Sequence, residues 1–519
     1  MNPSSESPPT RRLVYVLLIV SAAGSLAGRI LAVEQIYEPS VSRPADVVNG
    51  WRLPWPDKLP PPVPTFSSND RARWATVRAL VDEGTYVVGR RDEKLMMASG
   101  LSPLGTQDAF HAAALAVAGY QLRTTNDSGI VFEDGWKTID KVLNPDSHEF
   151  CSSKPPLLPT LMAAEYWVLQ KLFGWKIKDR YALVVRIGLF TVNWLPMLIY
   201  LVLLARLVER YGTTDWGRLY VLAAGCFGTM LTTFAITFNN HTVAAFCALF
   251  ALYAAMKIWA IDAPVRDRRL NYAVAGFFAG LCAAAELPAT AFLVALFVLL
   301  LVRAPRRTLL WFLPAALVPV AAFLFTNHLA IGTVVPVDTD IGSAWYQYEG
   351  SHWLGVFDPT KPNTAIDYLR EDKARYAFNL LLGHHGLFAL APIWLLALVG
   401  TVLGTWRVLL AFRARRIDPV ALVAALTLVL TVVVVGFYIY KTNNYGGWTN
   451  GPRWLMWLTP FLLVSLLPVA DRLAPHRWGR GLAYLLLGLS ILSVSYRDWN
   501  PWRHPWIYNF LEAQGWLGY

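Results

Sequence analysis

The chain has 519 residues, of which 55% are hydrophobic and only 16% charged, with a formal net charge of +11. Soluble domains carry roughly 25% charged residues, so a single soluble globule is excluded. The positive charge does not point to nucleic acid, because the cations lie mainly in short connections between apolar runs, the pattern that orients membrane proteins.

In chain order, residues 1–12 form a polar cytoplasmic tail ending in Arg11 and Arg12. Residues 13–32 are an apolar run of membrane-crossing length, read as an uncleaved first span. Residues 33–180 are a large hydrophilic loop. Further spans are expected near 181–205, 217–237, 241–261, 271–285, 287–302, 308–328, 386–406, 419–440, 454–470 and 481–497. The fold class is therefore an all-α polytopic membrane protein of about 11 spans, with amphipathic juxtamembrane helices in the large loop. The domains follow: helices 2–7 over 181–328, a second outer loop over 329–385, helices 8–11 over 386–497 and an outer tail over 498–519. Alternate connections hold the arginines, among them Arg206, Arg210, Arg306, Arg307, Arg472 and Arg477, whereas the short connections on the other side hold only Lys441 and Arg453. The imbalance puts the arginine-rich side in the cytoplasm and both long loops outside.

Within the large loop, residues 38–66 are Pro-rich and read as an extended linker. Asp70 to Glu83 has Trp74, Val77, Leu80 and Val81 on one stripe and stops at Gly84, which predicts a short amphipathic helix lying along the membrane surface. Ala109 to Leu122 and Leu157 to Leu172 predict similar helices, the last opened by Pro155 and Pro156. Cys151 stands alone in this loop while Cys226, Cys247 and Cys282 lie in apolar runs, so no disulfide framework or zinc spacing follows.

Polar residues unusual for a membrane protein collect where spans meet the outer face. They are Asn239 to Thr242, Glu286, Gly383 to Gly386 and the turn from Asn443 to Trp454. Asp70 is the candidate general base: a carboxylate at a membrane interface beside a helix start can take a proton from a hydroxyl. Asp is also a favoured helix N-cap, and the two roles are compatible. Lys154, fixed beside two prolines, offers a point charge to a phosphate or snorkels to lipid headgroups. Arg453 offers a forked clamp for a phosphate leaving group or a membrane-edge anchor. Glu286 is costly near hydrocarbon and reads as a second acid or as a partner for Arg453 or Lys154. His384 and His385 are candidate hydrogen bonders to sugar or phosphate. Adjacent histidines do not point the same way on a helix, so no metal is expected. Asn240, His241 and Tyr445 are candidates of the same sugar- or acceptor-binding kind.

Two stretches, Asp70-Arg71-Ala72-Arg73-Trp74-Ala75 and Ser153-Lys154-Pro155-Pro156-Leu157, resemble the first outer loop of the GT-C glycosyltransferases, in particular protein O-mannosyltransferases and lipid A aminoarabinose transferases. In that family the loop reads Asp-Glu-x-Arg-Tyr-Ala and then Lys-Pro-Pro-Leu. Here Arg71 stands for the Glu and Trp74 for the Tyr. Arg186 resembles a recurrent family arginine, and Phe238 to His241 lacks the carboxylate that the family often has there. The resemblance covers roughly residues 13–330. It implies a polyprenyl-phosphate-linked sugar donor and a lipid, glycan or protein acceptor. Asp70 would be the base, Glu286 a possible substitute for the second carboxylate, and Lys154, Arg73 and Arg453 the groups at the donor phosphate. No nucleotide, nucleic acid or cofactor is implied. The rival classes are a lipid or solute transporter or flippase, and a non-catalytic relative. Transporters place charged residues at mid-span, and the spans here are nearly free of them.

Overall fold

The computed structural model describes residues 9–34, 62–91, 127–260, 268–354, 371–411 and 418–517. The expected helix at 109–122 and nearly all of the Pro-rich linker lie outside these residues. The chain divides into two compact units. One comprises Met1–Val33, Leu189–Ala321 and Asn363–Tyr519, and the other Glu34–Gly188 and Ala322–Pro362.

Among the described residues, eight helices are long and apolar enough to cross a membrane: Pro9–Leu31, Tyr181–Tyr211, Asn240–Trp259, Pro305–Ile331, Ile393–Ala411, Pro419–Lys441, Arg453–Leu473 and Arg477–Ser495. Shorter apolar helices cover Arg269–Ala285 and Leu287–Arg303. The remaining expected span, 217–237, is interrupted. Its helix Asp215–Phe227 ends at Gly228, and only a four-residue helix, Leu231–Phe234, follows. The local reason is composition: a glycine and three threonines fall between residues 228 and 233, and Thr232 Oγ1 turns back onto the Thr229 carbonyl at 3.1 Å instead of leaving it to a helix ladder.

The first unit is held by close helix contacts and by polar ties at helix ends. Gly276 and Gly280 face the 305–331 helix so closely that a Cβ on either would lie 2.1 Å from the Phe312 carbonyl oxygen and 2.4 Å from that of Ala316. Two glycines four apart are the device that lets apolar helices meet backbone to backbone in lipid. Arg11, read from the sequence as the end of the N-terminal tail, is buried and bonded to Glu209 and Asp215, and Tyr15 Oη donates to Glu209 at 2.8 Å. Asp471 accepts from the backbone of Thr213 and Thr214 at 2.8 and 2.9 Å.

The second unit has a helix Ser68–Arg78 that widens into a π-helical turn over Ala79–Glu83 and ends at Gly84, whose φ of 71° suits glycine. Ser67, extended at φ −134°, is the N-cap, and its hydroxyl accepts from the Asp70 backbone N–H at 3.1 Å. Asp70 therefore sits in the first turn and is not the cap. The helix is also not a surface helix. Asn69, Asp70 and Ala72 through Arg78 are all buried. The polar side chains tolerate this because they are satisfied inside the unit: Arg78 forks onto Glu133 at 2.8 and 3.0 Å, and Arg73 Nη1 bonds the backbone and side chain of Asn69.

Helix Leu157–Phe173 begins after Pro156 as expected and ends at Gly174. It packs on the 68–83 helix through Tyr166 Oη, which donates to Asp82 at 2.9 Å, and on the segment after it through a 2.9 Å contact between Thr160 and Tyr86. The unit also has a small antiparallel sheet: β1 Val87–Arg91, β2 Asp127–Ser128, β3 Lys141–Leu143 and β4 Glu149–Ser152, in the order β2-β1-β4-β3. Phe150 on β4 fills its core between Phe132 and Tyr348, at ring distances of 5.1 and 5.6 Å.

Candidate functional site

The register Lys141↔Ser152 of β3 with β4 continues one step further, where the Ser153 N–H donates to the Asp140 carbonyl at 3.1 Å. This brings Lys154 beside the Asp140 side chain, and Nζ lies 2.7 Å from Oδ1. Both groups are largely withdrawn from solvent, at 17% and 9% exposure. Lys154 lines a small recess open to solvent. Cys151, Ser152, Ser153, Pro155 and Pro156 form one wall, Asn327, Ala330, Ile331, Pro336 and Val337 another, with Thr76 and Tyr86 between. Ser153 Oγ is buried there without a hydrogen-bond partner among the described residues. Burial pushes the neighbouring Cys151 thiol up to about 12, so the sulfur is no nucleophile at neutral pH.

The same unit also buries Asp70 and Arg73 and places Asp338 within electrostatic reach of Lys154, Arg73 and Asp140. Asp70 is 1% and Arg73 2% exposed. Asp338, next to the recess residue Val337, has its Oδ1 closed off without a hydrogen-bond partner among the described residues. Burial raises its carboxyl above the ordinary aspartate range, against the pull of Lys154 and Arg73 and with a smaller push from Asp140. Asp140 and Asp338 are the residues that sequence reading missed. No local pattern marks Asp140, which only the β3–β4 register brings to Lys154, and nothing marks Asp338 within Val335-Pro336-Val337-Asp338.

The other expected residues fall in the first unit, in two groups. In one, Glu286 follows the 268–285 helix and meets the start of the 240–259 helix. Glu286 Oε1 accepts from Asn240 Nδ2 at 2.6 Å and bonds His241 Nδ1, while Arg453 Nη1 lies 3.0 Å from His241 Nε2. Arginine can only donate, so Nε2 is an acceptor and the imidazole proton is on Nδ1, facing Glu286. The sequence offered Arg453 or Lys154 as the partner of Glu286. His241 links Glu286 to Arg453, one of those two. Arg453 also donates to the Gly446 carbonyl at 2.9 Å and lies 4.6 Å over the Trp502 ring. Gly446, at φ 95°, is required here, since a Cβ would lie 2.8 Å from Arg453 Nε.

In the other group, Tyr445 Oη donates to Glu371, whose second oxygen accepts from Asn379 at 3.2 Å. The Tyr445 ring stacks on His385 at 5.0 Å. His384 and His385 are both 1% exposed and face each other, with Nδ1 atoms 2.5 Å apart. They lie in a turn, not on a helix, which is why adjacent rings converge. His504, stacked on Tyr508 at 3.9 Å, closes the ring cluster. Among the described residues no group of three or more His, Cys, Asp or Glu side chains could hold a metal ion.

The histidine pair carries an acid sensitivity. Burial, helped by the Arg375 cation, lowers His384 to about 4, and burial with His384 and His504 holds His385 well below the ordinary value of 6.5. The unfolded chain binds these protons more readily than the folded one. The stability is thus complete above about 6.5 and is lost as pH falls from there towards 4, at a cost of about 3 kcal/mol for His384 alone. Thermal melts of the purified protein should drop steeply between pH 6.5 and 4.5. In His384→Gln/His385→Gln the drop over that window should shrink.

Comparison of the chain with protein-family models, with curated protein sequences and with solved structures gave no match.

Proposed function

We propose that this chain is an integral-membrane glycosyltransferase of the GT-C kind. It moves a sugar from a polyprenyl-phosphate donor to a hydroxyl of a lipid, glycan or protein acceptor at the outer face of the membrane. The observation that carries the reading is the fixed cation in the second unit. Lys154 stands in a recess, 2.7 Å from Asp140, in the unit that also buries Asp70 and Arg73. The eight membrane-length apolar helices among the described residues supply the setting that a polyprenyl tail requires.

In this reading the acceptor oxygen attacks the anomeric carbon and forms the new glycosidic bond. The bond from that carbon to the phosphate oxygen breaks, and the phosphate leaves with the electron pair. Asp70 takes the acceptor's proton. Lys154, supported by Arg73, offsets the charge that grows on the departing phosphate, where shielding from water strengthens the interaction. A single displacement with Asp70 as the base implies inversion at the sugar.

Mass spectrometry of lipid co-purified with the protein tests the donor class. A polyprenyl phosphate carrying a sugar is the expected species. A lipid extract in which no polyprenyl phosphate is enriched over the surrounding membrane counts against the reading.

A further inference from the structure

Asp140 does more than hold Lys154, because its backbone is tied to the helix that carries Asp70. Ser68, the first residue of that helix, has its hydroxyl 2.7 Å from the Ile139 N–H and 3.2 Å from the Asp140 N–H, accepting from both. The same hydroxyl lies 2.8 Å from Thr138 Oγ1, which donates to the Ser68 carbonyl at 2.8 Å and accepts from the Asp140 N–H at 3.0 Å. At its other end Asp140 accepts from the Ser153 N–H through its carbonyl and meets Lys154 Nζ through its carboxylate. Two segments far apart in sequence are thereby joined through residues 138–140.

We propose that Ser68, Thr138 and Asp140 form a positioning strut that sets the spacing between Asp70 and Lys154 and so aligns proton removal with phosphate departure. This rests on the glycosyltransferase reading and adds to it. The geometric reason is that displacement needs base, carbon and leaving group in register. An ångström of misplacement costs about 10²-fold in rate even when binding is intact. Hydroxyls that each bond several backbone groups are stiff, because leaving any of those groups unpaired is unfavourable. Thr138 and Asp140 are buried and Ser68 is half-buried. Ser68 touches the strut through both its hydroxyl and its carbonyl.

The strut has two parts with different expected signatures. Thr138→Val and Ser68→Ala remove hydroxyls and leave the Lys154–Asp140 pair. Their affinity for a polyprenyl phosphate is expected within about twofold of wild type, with kcat lowered at least about tenfold. Thr138→Ser restores the hydroxyl and is expected to restore kcat. Asp140→Asn frees Lys154 to wander and is expected to weaken polyprenyl-phosphate affinity about tenfold.

The measurements are binding of polyprenyl phosphate to protein in nanodiscs and turnover of a polyprenyl-phosphate sugar, with a thermal melt for each variant. The strut is overturned if Thr138→Val keeps wild-type kcat, or if Thr138→Ser is as slow as Thr138→Val. It is equally overturned if Asp140→Asn binds as wild type. Failure of the underlying reading has a different signature: Asp70→Asn and Lys154→Met would then both behave as wild type in turnover and binding.

Discussion

Replacing Asp70 with asparagine is expected to reduce sugar transfer by about 10²- to 10⁴-fold, the usual contribution of a positioned general base. The substitution isolates proton transfer. Asparagine has the shape of aspartate and its carbonyl still accepts hydrogen bonds, but it cannot hold a proton at neutral pH. The helix should survive, because Ser67 supplies the cap and its bond to the residue-70 backbone N–H does not involve the Asp70 side chain. The first turn of a helix favours a carboxylate, so some loss of stability is expected alongside the loss of rate. Turnover per mole of folded protein, with a melt to establish folding, makes the comparison. A variant that is folded and transfers sugar at the wild-type rate removes Asp70 as the base.

Lys154→Met has the second large expected effect, on stability and on donor binding together. The change leaves the Asp140 carboxylate, 9% exposed, without the ammonium it meets at 2.7 Å. Breaking a buried pair from one side costs about 3–5 kcal/mol, and the lower end applies because Lys154 keeps some contact with solvent. The melting temperature should fall accordingly. Lys154→Met/Asp140→Asn removes both charges of the pair, and part of the stability should return. Transfer should not return, because neither change restores a cation in the recess. Equilibrium unfolding and transfer rate, measured on the single and double variants, separate the two roles. Activity recovering together with stability would mean that Lys154 only holds the fold.

The apolar helices were legible because hydropathy over a span-length window is set by the bilayer and needs no partner. The boundaries of the first, fourth and ninth expected spans lie within a few residues of Pro9–Leu31, Asn240–Trp259 and Pro419–Lys441. The helix at Ser68–Arg78 was legible from its period and from Gly84, yet its burial was not. An amphipathic stripe signals one covered face. Here the polar face is covered as well, through Arg78 with Glu133 and Arg73 with Asn69.

The sheet was invisible because its strands are two to five residues long, too short for an alternation to register. Asp140 was missed for the same reason, since only the β3–β4 register brings it to Lys154. His241 and Glu286 were both singled out as polar residues at span ends. Their link required a tertiary contact between two helix ends that no local pattern encodes.

The central claim is that the Lys154 recess receives the phosphate end of a polyprenyl lipid. Photo-crosslinking tests it most directly, with a polyprenyl phosphate carrying a photoreactive group on its phosphate-proximal isoprene unit and with labelled peptides mapped by mass spectrometry. The label is predicted on the peptide containing residues 151–157, competed by unlabelled polyprenyl phosphate and lost in Lys154→Met. Labelling confined to other peptides, or unchanged in Lys154→Met, would contradict it.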